Sequence, residues 1–229
     1  MARVIGGALG NFRGKLGKVA AKIIGGDTIL CARPSSFNVS YSTKIVESRR
    51  KFKVTIDFAS SVSRLPTLHD IWSKNRGPRM TASNMIFIPN FNLSSAQAPT
   101  LNNIITPMDG FGSPVASVAF ETKNLTSTLA ALDSVTNISP SEVNLSINAI
   151  VCLSDPITNC DPFYKMISLS KEVVDFNFIQ VCNFEIGLNP EEAGLVAMYN
   201  QKIVYLAVAT KSEDNKVIKY SNTYSLIFN

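Results

Sequence analysis

The stretch "VNLSINAIVCL", residues 143–153, begins with apolar and polar side chains that alternate from Val143 to Ala149 in the manner of a β-strand. Val143, Leu145, Ile147 and Ala149 occupy every second position, so in an extended chain they share one face. A strand that is apolar on one face is typical of the antiparallel sheets of a β-sandwich. The stretch therefore predicts a core strand of an antiparallel sheet.

Similar apolar segments recur beyond residue 84, separated by Pro, Asn, Asp or Gly about every dozen residues. In "FNFIQVCNFEI", residues 176–186, four large apolar side chains and Cys182 share one parity. "SEDNK", residues 212–216, is typical of a hairpin turn. About eight strands with such turns predict an antiparallel β-sandwich, jelly-roll or Ig-like, over residues 81–229. The segments are "NMIFIPNFNL", "SPVASVAFET", "STLAALDSV", "VNLSINAIVCL", "FYKMISLS", "VDFNFIQVCNFEIGL", "QKIVYLAVAT" and "KVIKYSNTYSLIFN".

The composition indicates a folded chain, because 45% of the 229 residues are hydrophobic and only 17% are charged. No run of about 18 apolar residues exists, so we expect no membrane span. The first residues are basic but lack the continuous apolar segment of a signal peptide, because Gly, Arg and Lys interrupt them. We therefore expect the protein to be made and to assemble in a cytoplasm.

Charge is distributed unevenly along the chain. Residues 1–80 hold fifteen Lys or Arg and four acids, a net charge of +11, whereas residues 81–229 hold seven and thirteen, a net charge of −6. A basic segment joined to an acidic one indicates that it meets nucleic acid, an anionic surface or the acidic part of a neighbouring copy. The alternative is that these charges only keep a surface helix soluble.

The first 42 residues are predicted to form a glycine-rich basic arm and a β-hairpin. Seven of the twelve glycines lie within the first 34 residues, a density that is incompatible with a stable helix. Gly25 and Gly26 separate two short apolar runs and can supply the positive φ angles of a two-residue hairpin turn. We therefore predict a hairpin over about residues 15–33.

Residues 43–80 are predicted to be a basic helix and a linker. "KFKVTIDF", residues 51–58, alternates like a strand, yet Phe52, Ile56, Ala59 and Val62 recur at helical spacing. The length of the segment favours a helix over residues 44–63. Pro66 is expected to end or kink that helix.

The amino-terminal pattern "LGNFRGKLGKVAAKIIGGDTILCARPSS", followed by "SRRKF", resembles a family of roughly 200-residue proteins of undefined function, common in Bacteroidetes and in phage-like contexts. The resemblance covers about residues 3–60. Ile23 and Ile24 stand where that family usually has Trp-Lys, and Arg50 and Phe52 resemble its Arg-x-x-Phe signature with one spacer fewer. The resemblance implies a helix after the hairpin and implies no activity. Its matching residues are Gly10, Phe12, Gly14, Lys15, Gly17, Val19, Gly26, Arg33 and Pro34.

Sites for enzymatic chemistry have little support in the sequence. The glycine-rich stretch is no phosphate loop, because Leu9 stands where its first glycine should be and Leu16 follows Lys15 in place of Ser or Thr. The single histidine, His69, has no nucleophile motif with it. The paired acids Glu191–Glu192 and Asp155/Asp161 are typical of solvated surface. We predict a protein that is not an enzyme and uses no cofactor.

The four cysteines, Cys31, Cys152, Cys160 and Cys182, lack the close pairs of a zinc site, and no metal is predicted. Reduced thiols fit a cytoplasmic protein. A bridge between Cys152 and Cys160 remains an alternative if the protein is exported.

Self-assembly is the function that these features favour most. A glycine-rich arm is costly to order unless its strands pair with something, and a basic arm on an acidic body offers pairing between copies. We expect a phage virion protein, a capsid or tail component, whose arm residues are the nine family matches above. A capsid protein could also face nucleic acid without reading its sequence. The cations expected there are Arg3, Arg13, Lys15, Lys18, Lys22, Arg49, Arg50, Lys51 and Lys53.

Two alternatives belong to other classes. The first is a monomeric or dimeric module that binds nucleic acid or an anionic surface. The second is a surface filament or adhesin protein, which would carry the Cys152–Cys160 bridge.

Overall fold

The computed structural model of the chain describes residues 2–4, 14–24, 26–33, 36, 39–74, 76–77, 80–121, 123–158 and 162–229. These residues form two compact units. The first consists of the described residues of Met1–Val46 and Gly77–Met80, and the second of those of Glu47–Arg76 and Thr81–Asn229. Strands hold more residues than helices, and all paired strands are antiparallel, so the mainly β class is confirmed.

The first unit contains an antiparallel sheet of four strands within the described residues, here called the N-terminal sheet. Its strands are β1 (Ala2–Val4), β2 (Gly14–Leu16), β3 (Val19–Ile24) and β4 (Asp27–Ala32), in the order β1-β4-β3-β2. β3 and β4 form a hairpin, in which Ile24 pairs with Asp27 across two residues. Gly26 has a φ of +86°, a value that side chains on Cα disfavour. A second two-residue turn, with Gly17 at φ +55°, joins β2 to β3 and was not predicted.

The N-terminal sheet buries little of its apolar surface. Ala21 is its only buried hydrophobic residue among those whose burial is described. Val19, Ile23 and Ile24 are 38%, 46% and 43% exposed, although all three lie in β3, one of the two central strands. A single layer of this kind lacks the apolar burial that normally stabilises a sheet.

Helices form one layer of the second unit, here called the body. They are α1 (Thr43–Ser63), which begins in the first unit, α2 (Pro66–Lys74) and α3 (Ala82–Leu93). The predicted helix over residues 44–63 is confirmed, and the strand alternative for residues 51–58 is wrong. Pro66 is the first residue of α2, a position where its missing N–H costs nothing.

The prediction of one helix is wrong, because the described residues contain four α-helices, the fourth being α4 (Pro190–Val196). The segment "NMIFIPNFNL" was predicted as a strand but lies in α3. Thr81 caps this helix by accepting a hydrogen bond from the N–H of Asn84, and Ile86 and Asn90 are fully buried. Capping and tertiary burial therefore outweigh the unfavourable Pro89 inside the helix.

Eight strands of the body form two sheets. They are β5 (Val115–Phe120), β6 (Asn124–Leu129), β7 (Asn144–Pro156), β8 (Tyr164–Val173), β9 (Cys182–Gly187), β10 (Tyr199–Lys211), β11 (Val217–Tyr220) and β12 (Tyr224–Phe228). The central sheet has the order β8-β7-β10, with β11 and β12 pairing successive parts of the far edge of β10. The smaller sheet has the order β5-β6-β9. The predicted turn over residues 212–216 connects β10 to β11.

The central sheet is buried on both faces. One face packs against the smaller sheet, and β7 contributes Leu145, Ile147 and Ala149 to that core, as predicted. The other face packs against the helices, where Phe58 of α1 contacts Tyr205 of β10 with ring centroids 5.3 Å apart. The sandwich-like arrangement is confirmed, with a helical layer added. None of the helices in the described residues has the length and apolar composition needed to cross a bilayer.

Candidate functional site

A groove lies in the body between α1 and the beginning of β8. It has a volume of about 680 Å³. We call it the α1–β8 groove. It is lined by Arg50, Lys53, Val54, Asp57, Ser60, Ser61, Arg64, Ala96, Gln97, Pro162, Phe163, Tyr164, Lys165 and Met166.

Helical spacing on α1 explains how one wall of the groove is built. Arg50, Lys53, Asp57, Ser60 and Arg64 follow each other at intervals of three or four residues, so they lie along one side of the helix. The residues Phe58 and Val62 pack into the core instead. The groove wall is therefore the polar side of an amphipathic helix.

The opposite wall is fixed to α1 by hydrogen bonds from β8. Tyr164 donates from its hydroxyl to Oδ2 of Asp57 at 2.6 Å, and Ser168 donates from Oγ to the carbonyl of Ser61 at 3.0 Å. Lys53 donates to the same Oδ2 of Asp57 at 2.8 Å, one helical turn away. These contacts hold the strand and the helix at a fixed separation.

The charges of Lys53 and Asp57 compensate each other. Burial by itself would raise the pKa of Asp57, but the hydrogen bonds from Lys53 and Tyr164 and the charge of Lys53 outweigh it, so this pKa lies below its ordinary value. Burial, and then the hydrogen bond to Asp57, raise the pKa of Tyr164. Asp57 is thus a carboxylate and Tyr164 a neutral phenol at physiological pH.

Three other cations in the groove have no partner in the part of the chain that the structure describes. Arg50, Arg64 and Lys165 are exposed, and their side chains make no hydrogen bond or ion pair within the part of the chain that the structure describes. With Lys53 and Asp57 compensating each other, the lining carries a net charge of +3. Phe163, at the same groove, is 73% exposed. Such a surface suits an anionic ligand that also offers a flat apolar face.

The predicted arm residues are only partly described. Gly10, Phe12 and Pro34 lie outside the described residues, and so does Arg13 of the predicted cations. The β2–β3 hairpin brings together Gly14, Lys15, Gly17 and Val19, and the turn before β4 contains Gly26. Arg33 follows β4 and donates its backbone N–H to the carbonyl of Lys18 at 2.7 Å. Arg3 lies in β1, and Lys22 is exposed on β3.

The predicted cation cluster of α1 divides between different sides of the helix. Arg50 and Lys53 line the groove, whereas Arg49 does not. Lys51 lies over the ring of Phe91 at 5.3 Å from its centroid and contacts α3 instead. Arg64 was missed, although its spacing from Arg50 along α1 could have identified it. Phe163, Tyr164 and Lys165 were also missed, and no signal in the sequence connects them to α1.

Of the acids considered for catalysis, Glu192 and Asp155 have structural partners, Glu191 is exposed, and Asp161 lies outside the described residues. Glu192 accepts a hydrogen bond from the backbone N–H of Asn189 and completes the capping box of α4. Asp155 accepts a hydrogen bond from Asn200. Within the described ranges, no three His, Cys, Asp or Glu side chains are placed to hold a metal ion.

One of the two cysteines of the alternative Cys152–Cys160 bridge is buried. Cys152 is fully buried on the helix-facing side of β7 and carries a free thiol. Burial raises its pKa to about 12, so this thiol is unreactive at neutral pH. Cys160 lies outside the described residues.

Comparisons with protein-family models, with curated proteins and with solved structures find no match to this chain.

Proposed function

We propose that the protein is a non-enzymatic structural subunit that assembles with copies of itself through its N-terminal sheet. The observation that carries the proposal is the exposure of Val19, Ile23 and Ile24 on a sheet whose only buried hydrophobic residue of described burial is Ala21. Apolar side chains left exposed in this number mark an interaction surface. A folded layer of this size gains stability when its face or its edges are covered.

The occupant that we propose is a second copy of the chain. Charge complementarity favours this occupant, because the first unit holds eight Lys or Arg and one acid, whereas the body has a net charge of −2 and its residues 81–229 one of −6. Complementary charge steers two copies together and fixes their orientation, while apolar burial supplies most of the affinity. Because basic and acidic patches lie on the same chain, each subunit can be a donor and an acceptor, which leads to a ring or an open array.

Within this proposal, the body forms the bulk of each subunit. The assignment of its two facing sheets to the jelly-roll or the Ig-like class stays a prediction. The phage-associated resemblance of residues 3–60 supports a virion, a capsid or a tail, assembled in a bacterial cytoplasm, as the setting.

The test is the solution mass of the full-length protein and of a chain that begins at Ser42, by size-exclusion chromatography with light scattering. Salt at about 1 M screens charge contacts beyond a few ångströms, so an assembly that survives it is held by apolar and strand contacts. We expect many subunits for the full-length protein and a single subunit for the shortened chain. Monomers in both samples would contradict the proposal.

A second candidate function, binding of nucleic acid or another anionic partner, is favoured by a separate observation. This observation is the set of three cations in the α1–β8 groove that have no partner among the described residues. The two functions are compatible, because the groove lies in the body and the assembly surface lies in the N-terminal sheet.

A further inference from the structure

We propose that the α1–β8 groove binds single-stranded nucleic acid, with its cations on the phosphates and Phe163 stacked on a base. This inference does not depend on self-assembly, because the residues that carry it all belong to the body.

The charge of the groove favours an anionic ligand. Arg50, Arg64 and Lys165 are solvated cations with no partner among the described residues, so a ligand that pairs with them breaks no internal ion pair. The remaining acid, Asp57, is already bonded to Lys53 and Tyr164 and offers little repulsion. Phosphates that enter the groove would also release condensed counterions, which favours binding.

The length of the groove favours a polymer over a single nucleotide. Arg50 and Arg64 are fourteen residues apart, which on a helix with a rise of 1.5 Å per residue corresponds to about 21 Å. A single phosphate or a nucleotide is too short to reach both ends. A polymer with a regularly repeated negative charge is long enough.

An aromatic ring beside these cations favours a ligand that carries bases. Phe163 is 73% exposed and lines the same groove as Arg50 and Lys165. Alternation of cationic and aromatic side chains along a groove is the usual surface for single strands, because every base has a face that can stack. An acidic peptide would use the cations and leave Phe163 solvated.

The concave shape of the groove favours a single strand over a duplex. The cationic side of α1 is a wall facing β8, so it is recessed and does not protrude. A protein helix that reads a duplex must protrude into the major groove. A single strand lying along α1 meets no such requirement.

The experiment measures binding of full-length protein to a fluorescein-labelled 20-mer of deoxythymidine by fluorescence anisotropy over a range of salt concentrations. The test variant is R50A/R64A/K165A. Each phosphate contact with a single strand contributes about −0.7 to the slope of log K against log salt, so the variant should lose about 2 from the wild-type slope. The matched control is R76A/K123A/K216A, which removes three exposed cations outside the groove and should keep the wild-type slope.

A second variant separates the base from the phosphates. F163A should weaken binding of the oligonucleotide by about fivefold or more and leave binding of inorganic polyphosphate, which has no bases, unchanged. Because Phe163 is exposed, its removal should not affect folding. The urea midpoint of each variant checks this point.

The inference is overturned by any of three results. They are an absence of binding to the 20-mer, an equal salt slope for the groove variant and the control variant, and displacement of the 20-mer by polyglutamate at equal charge concentration. The first two would show that the groove does not take up nucleic acid, and the third that its ligand is an acidic polypeptide. The oligomeric state of the protein in the same buffer, measured by light scattering, reports on the proposed assembly independently.

Discussion

The hydroxyl of Tyr164 donates a 2.6 Å hydrogen bond to the carboxylate of Asp57, although 107 residues separate the two in the chain. Asp57 lies in the middle of α1, and Tyr164 is the first residue of β8, the edge strand of the central sheet. The bond joins the two walls of the α1–β8 groove. It therefore connects the packing of the helical layer with the geometry of the proposed binding site.

Removal of this bond should destabilise the body. Y164F deletes the hydroxyl and keeps the ring, and we expect the free energy of unfolding to fall by about 1 to 2 kcal/mol, because the acceptor is charged. Urea unfolding followed by circular dichroism measures this change. The control Y224F deletes a hydroxyl with no hydrogen-bond partner in the described residues and should change stability by less than about 0.5 kcal/mol. Equal effects of the two substitutions would contradict the role of the bond.

Glu142 should make stability depend on pH. Its side chain is fully buried and lies 3.1 Å from Nζ of Lys219. Burial opposes ionisation, but Thr210, the N–H of Ser139 and the charge of Lys219 outweigh it and lower the pKa of Glu142 below its ordinary value of 4.5. The stabilisation is present above 4.5 and is lost as the pH falls through the lowered pKa of the folded protein.

The variant E142Q isolates this effect. It should unfold at lower urea concentration than wild type at pH 7, by about 1.5 kcal/mol, and the difference should shrink below pH 4. Urea midpoints at a series of pH values test this expectation. A difference that stays constant from pH 7 to pH 3 would contradict it.

Phe58 and Phe52 distinguish the helical from the extended conformation of residues 51–58. In a strand both rings would share one face, whereas in α1 Phe58 is fully buried and Phe52 is half exposed. We expect F58A to cost about 3 to 5 kcal/mol. F52A should cost about 1 kcal/mol, because Phe52 keeps only an edge contact with Phe87. Similar losses from both substitutions in urea unfolding would contradict the packing of α1.

Gly26 should matter for association. Its φ of +86° is disfavoured by side chains, and a Cβ there would meet no atom within 4 Å, so the cost of G26A is conformational. We expect a loss of about 1 to 2 kcal/mol in the N-terminal sheet and a shift of assembly to higher protein concentration. Light scattering at several concentrations measures this shift. G194A in α4 also has open space but no positive φ, and it should leave assembly unchanged.

The sequence predicted those elements whose signals are local. The turn at Gly26 and the inward side chains of β7 follow from backbone conformation and from a period of two. For α1, the length of the segment correctly favoured a helix over the strand that the alternating apolar pattern indicated. The alternation arises because two pairs of apolar residues interleave in the sequence. Val54 and Phe58, four residues apart, lie on the buried side of α1, and Phe52 and Ile56, also four residues apart, lie on an exposed side.

Other features depend on contacts between distant parts of the chain. The segment of α3 reads as a strand because it is rich in β-branched and aromatic residues. Its helical state depends on the cap at Thr81 and on the buried Asn90, which donates from Nδ2 to the carbonyl of Ile104. Only half of the predicted cation cluster of α1 lines the groove, and Lys165 joins it from a strand that is about a hundred residues away in sequence. Local patterns carry no information of this kind.

The central claim, that the N-terminal sheet joins different copies, is tested most directly by cross-linking a mixture of isotopically heavy and light protein. A carbodiimide joins Lys directly to Asp or Glu, so mass spectrometry of the cross-linked peptides reports contacts between basic and acidic residues. Assembly through the N-terminal sheet should give mixed heavy–light pairs that join Lys15, Lys18 or Lys22 to acids of residues 81–229. Cross-links only within one isotope, or none from these lysines, would contradict it.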